Sequence, residues 1–169
     1  LFGPLSVAAQ TYPDRPVRLV APVPPGGSGD LVSRLVGNAA AESLGRPVVI
    51  ENRPGATGNI GTVVAVKAPA DGYTILLCSI GNCAVNASLY SAPGFDLFKD
   101  IAPVVLIGSS INVLTVGKDS GIHSVKEMLA QAQARPFAYG SSGVGASNHL
   151  AGELLKKMTG VSMDHVPYK

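Results

Sequence analysis

Three stretches of small residues carry the types suited to holding an anion without a fixed positive charge. They are Pro24-Pro25-Gly26-Gly27-Ser28-Gly29, Pro54-Gly55-Ala56-Thr57-Gly58-Asn59 and Ser141-Ser142-Gly143-Val144-Gly145-Ala146-Ser147. Glycine lets the backbone approach a ligand without a Cβ in the way. The hydroxyls of Ser28, Ser141, Ser142 and Ser147 can donate to a carboxylate oxygen. Each stretch runs directly into a helical pattern, so its amides sit where N–H groups lack helical partners and carry partial positive charge. Plain turns of the same composition are the competing reading for each loop.

Other chemistries fit the residues less well. A phosphate cradle needs a Gly-Lys-Ser/Thr ending, and the first loop ends Gly27-Ser28-Gly29-Asp30. The third loop lacks the spacing of a dinucleotide fingerprint and the last glycine of a nucleophile elbow. A serine hydrolase using Ser142 with His149 or His165 is the enzymatic alternative, but nothing in the sequence places Asp164 or Glu153 as the third, orienting group. No catalytic residue is assigned, and the chain is expected not to be an enzyme. His149 is expected to be packed or solvent-facing, and Glu153 to pair with it or with Lys157. His123, His149 and His165 share no ligand spacing with Cys78 and Cys83, so neither a metal nor another cofactor is expected. The two cysteines stand five apart in CSIGNC, a spacing that leaves a disulfide and a pair of free thiols both open.

The elements that position these loops follow from hydrophobic periodicity. A strand at 17–21 leads into loop one, and a helix follows from an Asp30 cap along Leu31, Val32, Leu35 and Val36 to a stop at Gly45. A second strand at 47–51 empties into loop two, a helix covers 60–67, and a third strand covers 73–77. A short helix at 85–90 and two apolar runs at 102–107 and 112–116 come next, the runs forming a candidate crossing between lobes. The pattern then restarts with Ser124 capping a helix over 125–134, a strand at 137–140, the third loop, a helix over 147–159 and a strand at 161–166. Strands alternating with helices predict an α/β chain with parallel sheets.

Composition bounds the rest. At 169 residues and 46% apolar, the chain has room for at most one complete domain and a piece of another. With 14% charged residues, a net charge of +2, no basic cluster and no Trp, nucleic acid is not an expected partner. Residues 1–9 (LFGPLSVAA) read as the tail of a signal peptide, with Val7 and Ala9 ahead of a cut before Gln10. An ordinary chain terminus is the other reading of that segment.

The segments YPDRPVRLVAPVPPGGSGD, GRPVVIENRPGATGNIG, APADGYTILL, NASLY, FKDIAPV, SSGVGASNHLAGELLKKMTG and HVPYK together resemble the Bug-type, or TctC-family, solute-binding receptors of tripartite tricarboxylate transporters. The resemblance implies a periplasmic binding protein type II-like (Venus flytrap) fold, with a ligand held between lobes. Lobe 1 is expected over 10–109 and a partial lobe 2 over 110–169. It also implies an exported, periplasmic protein that captures a small carboxylate, such as a di- or tricarboxylate, an acidic amino acid or an aromatic acid. Its partners would be the membrane subunits of such a transporter. Carried onto this chain, the family's binding pattern points to Val23, Pro24, Gly26, Gly27 and Ser28, with Ser79 and Asn82 on the same wall. Ser141, Ser142, Gly145, Ser147 and Asn148 would face them. Ala146 stands where members often have serine, and the two cysteines are not part of the pattern. Family chains continue past HVPYK, so a fragment or truncated reading frame is expected. A non-binding fragment that self-associates through an exposed sheet edge is the last alternative.

Overall fold

The computed structural model describes residues 12–168, and the expected signal-peptide remnant at 1–9 lies outside them. The chain forms two compact units, one up to Leu77 and one from Cys78 on.

In the first unit, β1 (Val17–Ala21) lies between β2 (Val48–Asn52) and β3 (Thr74–Leu76), with both pairings parallel. A central parallel strand is covered on both faces and reads as a nearly continuous apolar run, here interrupted only by Arg18. Val17, Leu19, Val20 and Ala21 are accordingly buried. Helix α1 (Ser28–Leu44) packs on β1 and β2, and α2 (Asn59–Val66) packs on β1 and β3. Because the strands run in one direction, loops one and two leave from the same edge of the sheet.

Helix α1 corrects two details of the sequence reading. Gly27 is its N-cap, and Asp30 sits inside the first turn rather than capping it. The stripe facing the sheet is not Leu31 and Leu35, which stay exposed, but Ser33 and Gly37, which are buried. The helix lies so close to β2 that a Cβ on Gly37 would stand 2.7 Å from Ile50 Cδ1, so only small residues fit at the contact. The helix stops at Gly45 as its sequence predicts.

The second unit opens with a π-helical turn (Ile80–Val85) that continues into α3 (Asn86–Leu89). Later come α4 (Val125–Ala134), β4 (Phe137–Ser141), α5 (Ser147–Thr159) and β5 (Met163–Pro167), with β4 and β5 parallel. Ser124 caps α4 as expected: its Oγ accepts the Glu127 amide at 3.2 Å. Ala132, Val161 and Met163 form a small core, joined by Leu129, Phe137, Tyr139 and Leu155.

The two apolar runs in 101–117 take up no strand or helix before the 3₁₀ turn at Lys118–Ser120. Val104, Leu106 and Ile111 are each more than 80% exposed. A β-branched run becomes a strand only when another strand takes its backbone groups, and among the described residues none does.

Candidate functional site

Loop one is organised by a carboxylate that the sequence reading treated only as a cap. Asp30 Oδ2 accepts the Gly26 amide at 2.9 Å and Arg34 Nε at 3.0 Å, while Oδ1 accepts Asn52 Nδ2 at 2.9 Å. Asn52 Nδ2 also donates to Val23 O at 3.2 Å, and Arg34 Nη2 to Asn52 Oδ1 at 3.4 Å. The end of β2 is thereby tied to the start of loop one. The Gly26 amide, the Arg34 guanidinium and the Asn52 amide together draw the Asp30 carboxyl down to about 2, so it is ionised at neutral pH. Its charge is balanced by Arg34, and the exposed Gly27 and Ser28 at the head of α1 meet solvent without a net negative charge behind them. The first backbone amide of α1 to bond back is that of Leu31, to Gly27 O at 3.0 Å. Pro24, Gly26, Gly27 and Ser28 are exposed and Val23 is half-buried, so the first group of expected site residues shares one surface loop.

Loop two is built from left-handed backbone. Gly55, Ala56, Thr57 and Gly58 have φ of 119°, 47°, 53° and 85° in succession, and for Ala56 and Thr57 that costs about 1 kcal/mol each. Helix α2 begins immediately after, and Gly61 brings it against the ends of both β1 and β2. A Cβ there would lie 2.6 Å from Arg53 O and 2.9 Å from Pro22 Cβ. Loops one and two thus share one packed rim.

In the second unit, Ser79 and Asn82 cap the π-helical turn reciprocally. The Ser79 amide donates to Asn82 Oδ1 at 2.7 Å, and the Asn82 amide to Ser79 Oγ at 3.4 Å. Ser79 is exposed and Asn82 buried. Cys78 and Cys83 are joined by a disulfide across the same turn, with Cα atoms 5.7 Å apart, which answers the question that their spacing left open.

The β4–α5 loop divides the remaining expected residues into inward and outward sets. Ser142 and Ser147 are exposed. Ser142 Oγ donates to Asn148 Oδ1 at 3.2 Å and Ser147 Oγ to Asn112 Oδ1 at 3.3 Å. Ser141 and Gly145 are buried. The Gly145 amide donates to His149 Nδ1 at 3.1 Å, and Ser141 Oγ lies 2.5 Å from His165 Nε2. Glu153 pairs with Lys156 at 2.9 Å rather than with Lys157, and accepts Tyr139 OH at 2.8 Å. Burial and that bond push the Tyr139 hydroxyl up to about 12.

This arrangement bears on the hydrolase alternative. The serine that meets an imidazole is Ser141, not Ser142, and it is only 5% exposed. Among the described residues no carboxylate bonds the other ring nitrogen of His165, so the orienting group is missing. No group of three His, Cys, Asp or Glu among the described residues is placed to hold a metal ion, and no helix of the structure is long and apolar enough to cross a membrane. An open concavity of about 490 Å³ lies at the opposite edge of the first sheet, where Arg15, Arg18, Lys67 and Asp71 line it. Arg15 is engaged by Asp71 at 2.8 Å and Arg18 by Glu51 at 3.2 Å.

Sequence reasoning missed the Asp30–Arg34–Asn52 clamp and the His149–His165 pair. The i, i+4 spacing of Asp30 and Arg34 was a visible signal for the first. Nothing in the sequence joins His149 to His165 before β4 and β5 pair.

The chain is similar to known proteins over most of its length. Residues 32–169 match the tripartite tricarboxylate transporter family receptor, TctC. Protein BugT of Bordetella pertussis is 39% identical over 166 residues, covering 96% of this chain and 51% of BugT. The solved structure of R. palustris Rpa4515 with adipate is 40% identical with a TM-score of 0.86, covering 94% of this chain and 54% of that one. MatC (Rpa3494) from Rhodopseudomonas palustris with bound malate is 26% identical with a TM-score of 0.74, covering 93% and 54%. The chain spans about half the length of the relatives it matches. Its parallel α/β units are those of the solute-binding proteins it superposes on, and the chain belongs to the TctC family of tripartite tricarboxylate transporter receptors.

Proposed function

We propose that this chain supplies carboxylate-binding loops to an exported solute receptor that delivers its ligand to a tripartite tricarboxylate-type transporter. The observation that carries this reading is the make-up of the loops at the heads of α1 and α5. Exposed Gly27 and Ser28 on one, and exposed Ser142 and Ser147 on the other, bring backbone amides and hydroxyls to the surface with no cationic side chain among them, and a ligand oxygen would replace the Asn148 and Asn112 oxygens as acceptor for the Ser142 and Ser147 hydroxyls. Each loop by itself suits an anion that must be held and released, because helix-end amides attract charge without the strength of a fixed ion pair. The solved relatives carrying adipate and malate support a small dicarboxylate as the ligand class. Val23, Pro24, Gly26, Ser79, Asn82, Ser141, Gly145 and Asn148 complete the proposed set, the buried ones by holding the exposed ones in place.

Export to the periplasm is supported by the signal-like residues 1–9 and by the Cys78–Cys83 disulfide, a bond that persists in oxidising compartments. In this reading residues 10–109 and 110–169 are assigned to successive lobes. The test is calorimetry of the full-length protein against a panel of mono-, di- and tricarboxylates. Saturable heat with at least one acid is expected, and silence across the whole panel would sink the reading.

A second reading concerns the chain by itself. The exposed apolar residues of 101–117 favour self-association through that segment. Sedimentation of the 169-residue chain over a range of concentrations tests it: a concentration-independent monomer would refute it.

A further inference from the structure

The β4–α5 loop rests on two stacked imidazoles that the receptor reading leaves without a role. His149, in the first turn of α5, and His165, on β5, have ring centroids 4.0 Å apart, and the Tyr139 ring lies 5.1 Å from His165. Both histidines bond the loop. His149 Nδ1 accepts the Gly145 amide, and His165 Nε2 meets Ser141 Oγ. Gly145 and Ser141 are buried, so water does not stand in for either contact.

The two contacts respond differently to a proton. Ser141 Oγ also accepts the Gly143 amide at 3.1 Å and reaches Gly143 O at 3.2 Å. A hydroxyl can reverse its direction, donating to Gly143 O when His165 Nε2 carries a hydrogen. The Gly145 amide can only donate, so its bond exists only while Nδ1 of His149 keeps its lone pair.

The groups facing the pair are Tyr139 from β4, Glu153 and Lys156 from α5, and each histidine for the other. Glu153 is already engaged by Tyr139 and Lys156. Burial and the neighbouring His149 hold His165 below the usual imidazole range. Only a doubly protonated stack would set two charges face to face.

We propose that His149 is a positioning residue that latches the β4–α5 loop only when neutral, so that its protonation frees Gly145 and with it the ligand-facing Ser142 and Ser147. The proposal rests on the receptor reading for its consequence, a carboxylate affinity that falls on acidification, but its latch is observable without a ligand. Direct attraction between an imidazolium and an anion acts in the opposite sense, so the sign of the pH profile is decisive.

The experiment is a titration of ¹⁵N-labelled full-length protein between about pH 8 and about pH 5, following the Gly145 amide and the ring nitrogens of His149 by NMR. The Gly145 amide is expected to move with the His149 midpoint, and calorimetry with adipate is expected to show affinity falling on the order of tenfold over the same range. His149→Asn keeps an acceptor that no proton can occupy, and should flatten both profiles; His149→Leu removes the acceptor and should leave the Gly145 amide in its acid position throughout. A Gly145 amide that ignores the His149 titration, an affinity that rises on acidification, or a His149→Asn protein with the wild-type profile would overturn the proposal. Silence toward every carboxylate, with Gly145 still following His149, would remove the receptor reading while the latch stands.

Discussion

Gly61→Ala is the sharpest test of the idea that loops one and two form one rim. The added Cβ meets Arg53 O at 2.6 Å, Pro22 Cβ at 2.9 Å and Pro22 Cα at 3.0 Å. Two of these three atoms are backbone, so no side chain can swing away. To reach 3.4 Å, where ordinary contact begins, α2 and the Arg53 carbonyl must part by about 0.8 Å. The Arg53 amide is bonded to Ala21 O at 2.8 Å and Asn52 to Val23 O, so the displacement passes directly into loop one. Overpacking of this kind costs about 1 to 3 kcal/mol, and the better helix propensity of alanine returns up to about 1 kcal/mol. A net destabilisation of about 1 to 2 kcal/mol is expected, read as a lower urea midpoint at constant slope. Weaker carboxylate binding should accompany it. Gly117→Ala, at a position with nothing within 4 Å and an ordinary φ of −60°, is the matched control and should change neither quantity. Wild-type stability together with wild-type affinity in Gly61→Ala would refute the shared-rim argument.

Three further outcomes follow from the same structure. The Asp30 carboxyl is depressed from 3.8 to about 2, so its stabilisation is complete above the unfolded value and is lost as pH falls through that window; acid unfolding followed by circular dichroism should lose this component in Asp30→Asn, and an unchanged acid limb would contradict the clamp. Tyr139 is raised from 10.0 to about 12, so its contribution is present below pH 10 and lost as pH climbs toward 12; ultraviolet titration of the phenolates should show Tyr139 titrating late and Glu153→Gln bringing it part of the way back, the share due to burial remaining. Reducing the Cys78–Cys83 bridge opens a loop of sequence separation 5, worth about 2 kcal/mol by loop-closure entropy, and unfolding with and without a reductant measures it.

Most of the elements were legible in the chain because they rest on local rules. Helices α4 and α5 span the residues that their periodicity predicts, α4 behind the Ser124 cap and α5 behind the third glycine-rich loop. Strand β1 reads as buried because Val17 to Ala21 is apolar at every second and intervening position but one. Illegible were the features that depend on who lies opposite. The sheet-facing side of α1 is Ser33 and Gly37 because the helix approaches Ile50 closely, and hydrophobic periodicity pointed to Leu31 and Leu35 instead. The runs in 101–117 have strand composition and no ladder, since a strand is a property of a pair.

The sequence alone determined where amides and hydroxyls could gather: glycine and serine placed between a strand pattern and a helix pattern put unpaired N–H groups at a sheet edge whatever the surrounding fold. Only tertiary structure decided which of those groups stay free. Parallel pairing of β4 with β5 sets Ser141 against His165 and turns the serine inward, and β1–β2 pairing carries Asn52 to Asp30. Hydrogen bonds between residues twenty or more positions apart form only after the backbone has chosen its neighbours, and no local spacing encodes that choice.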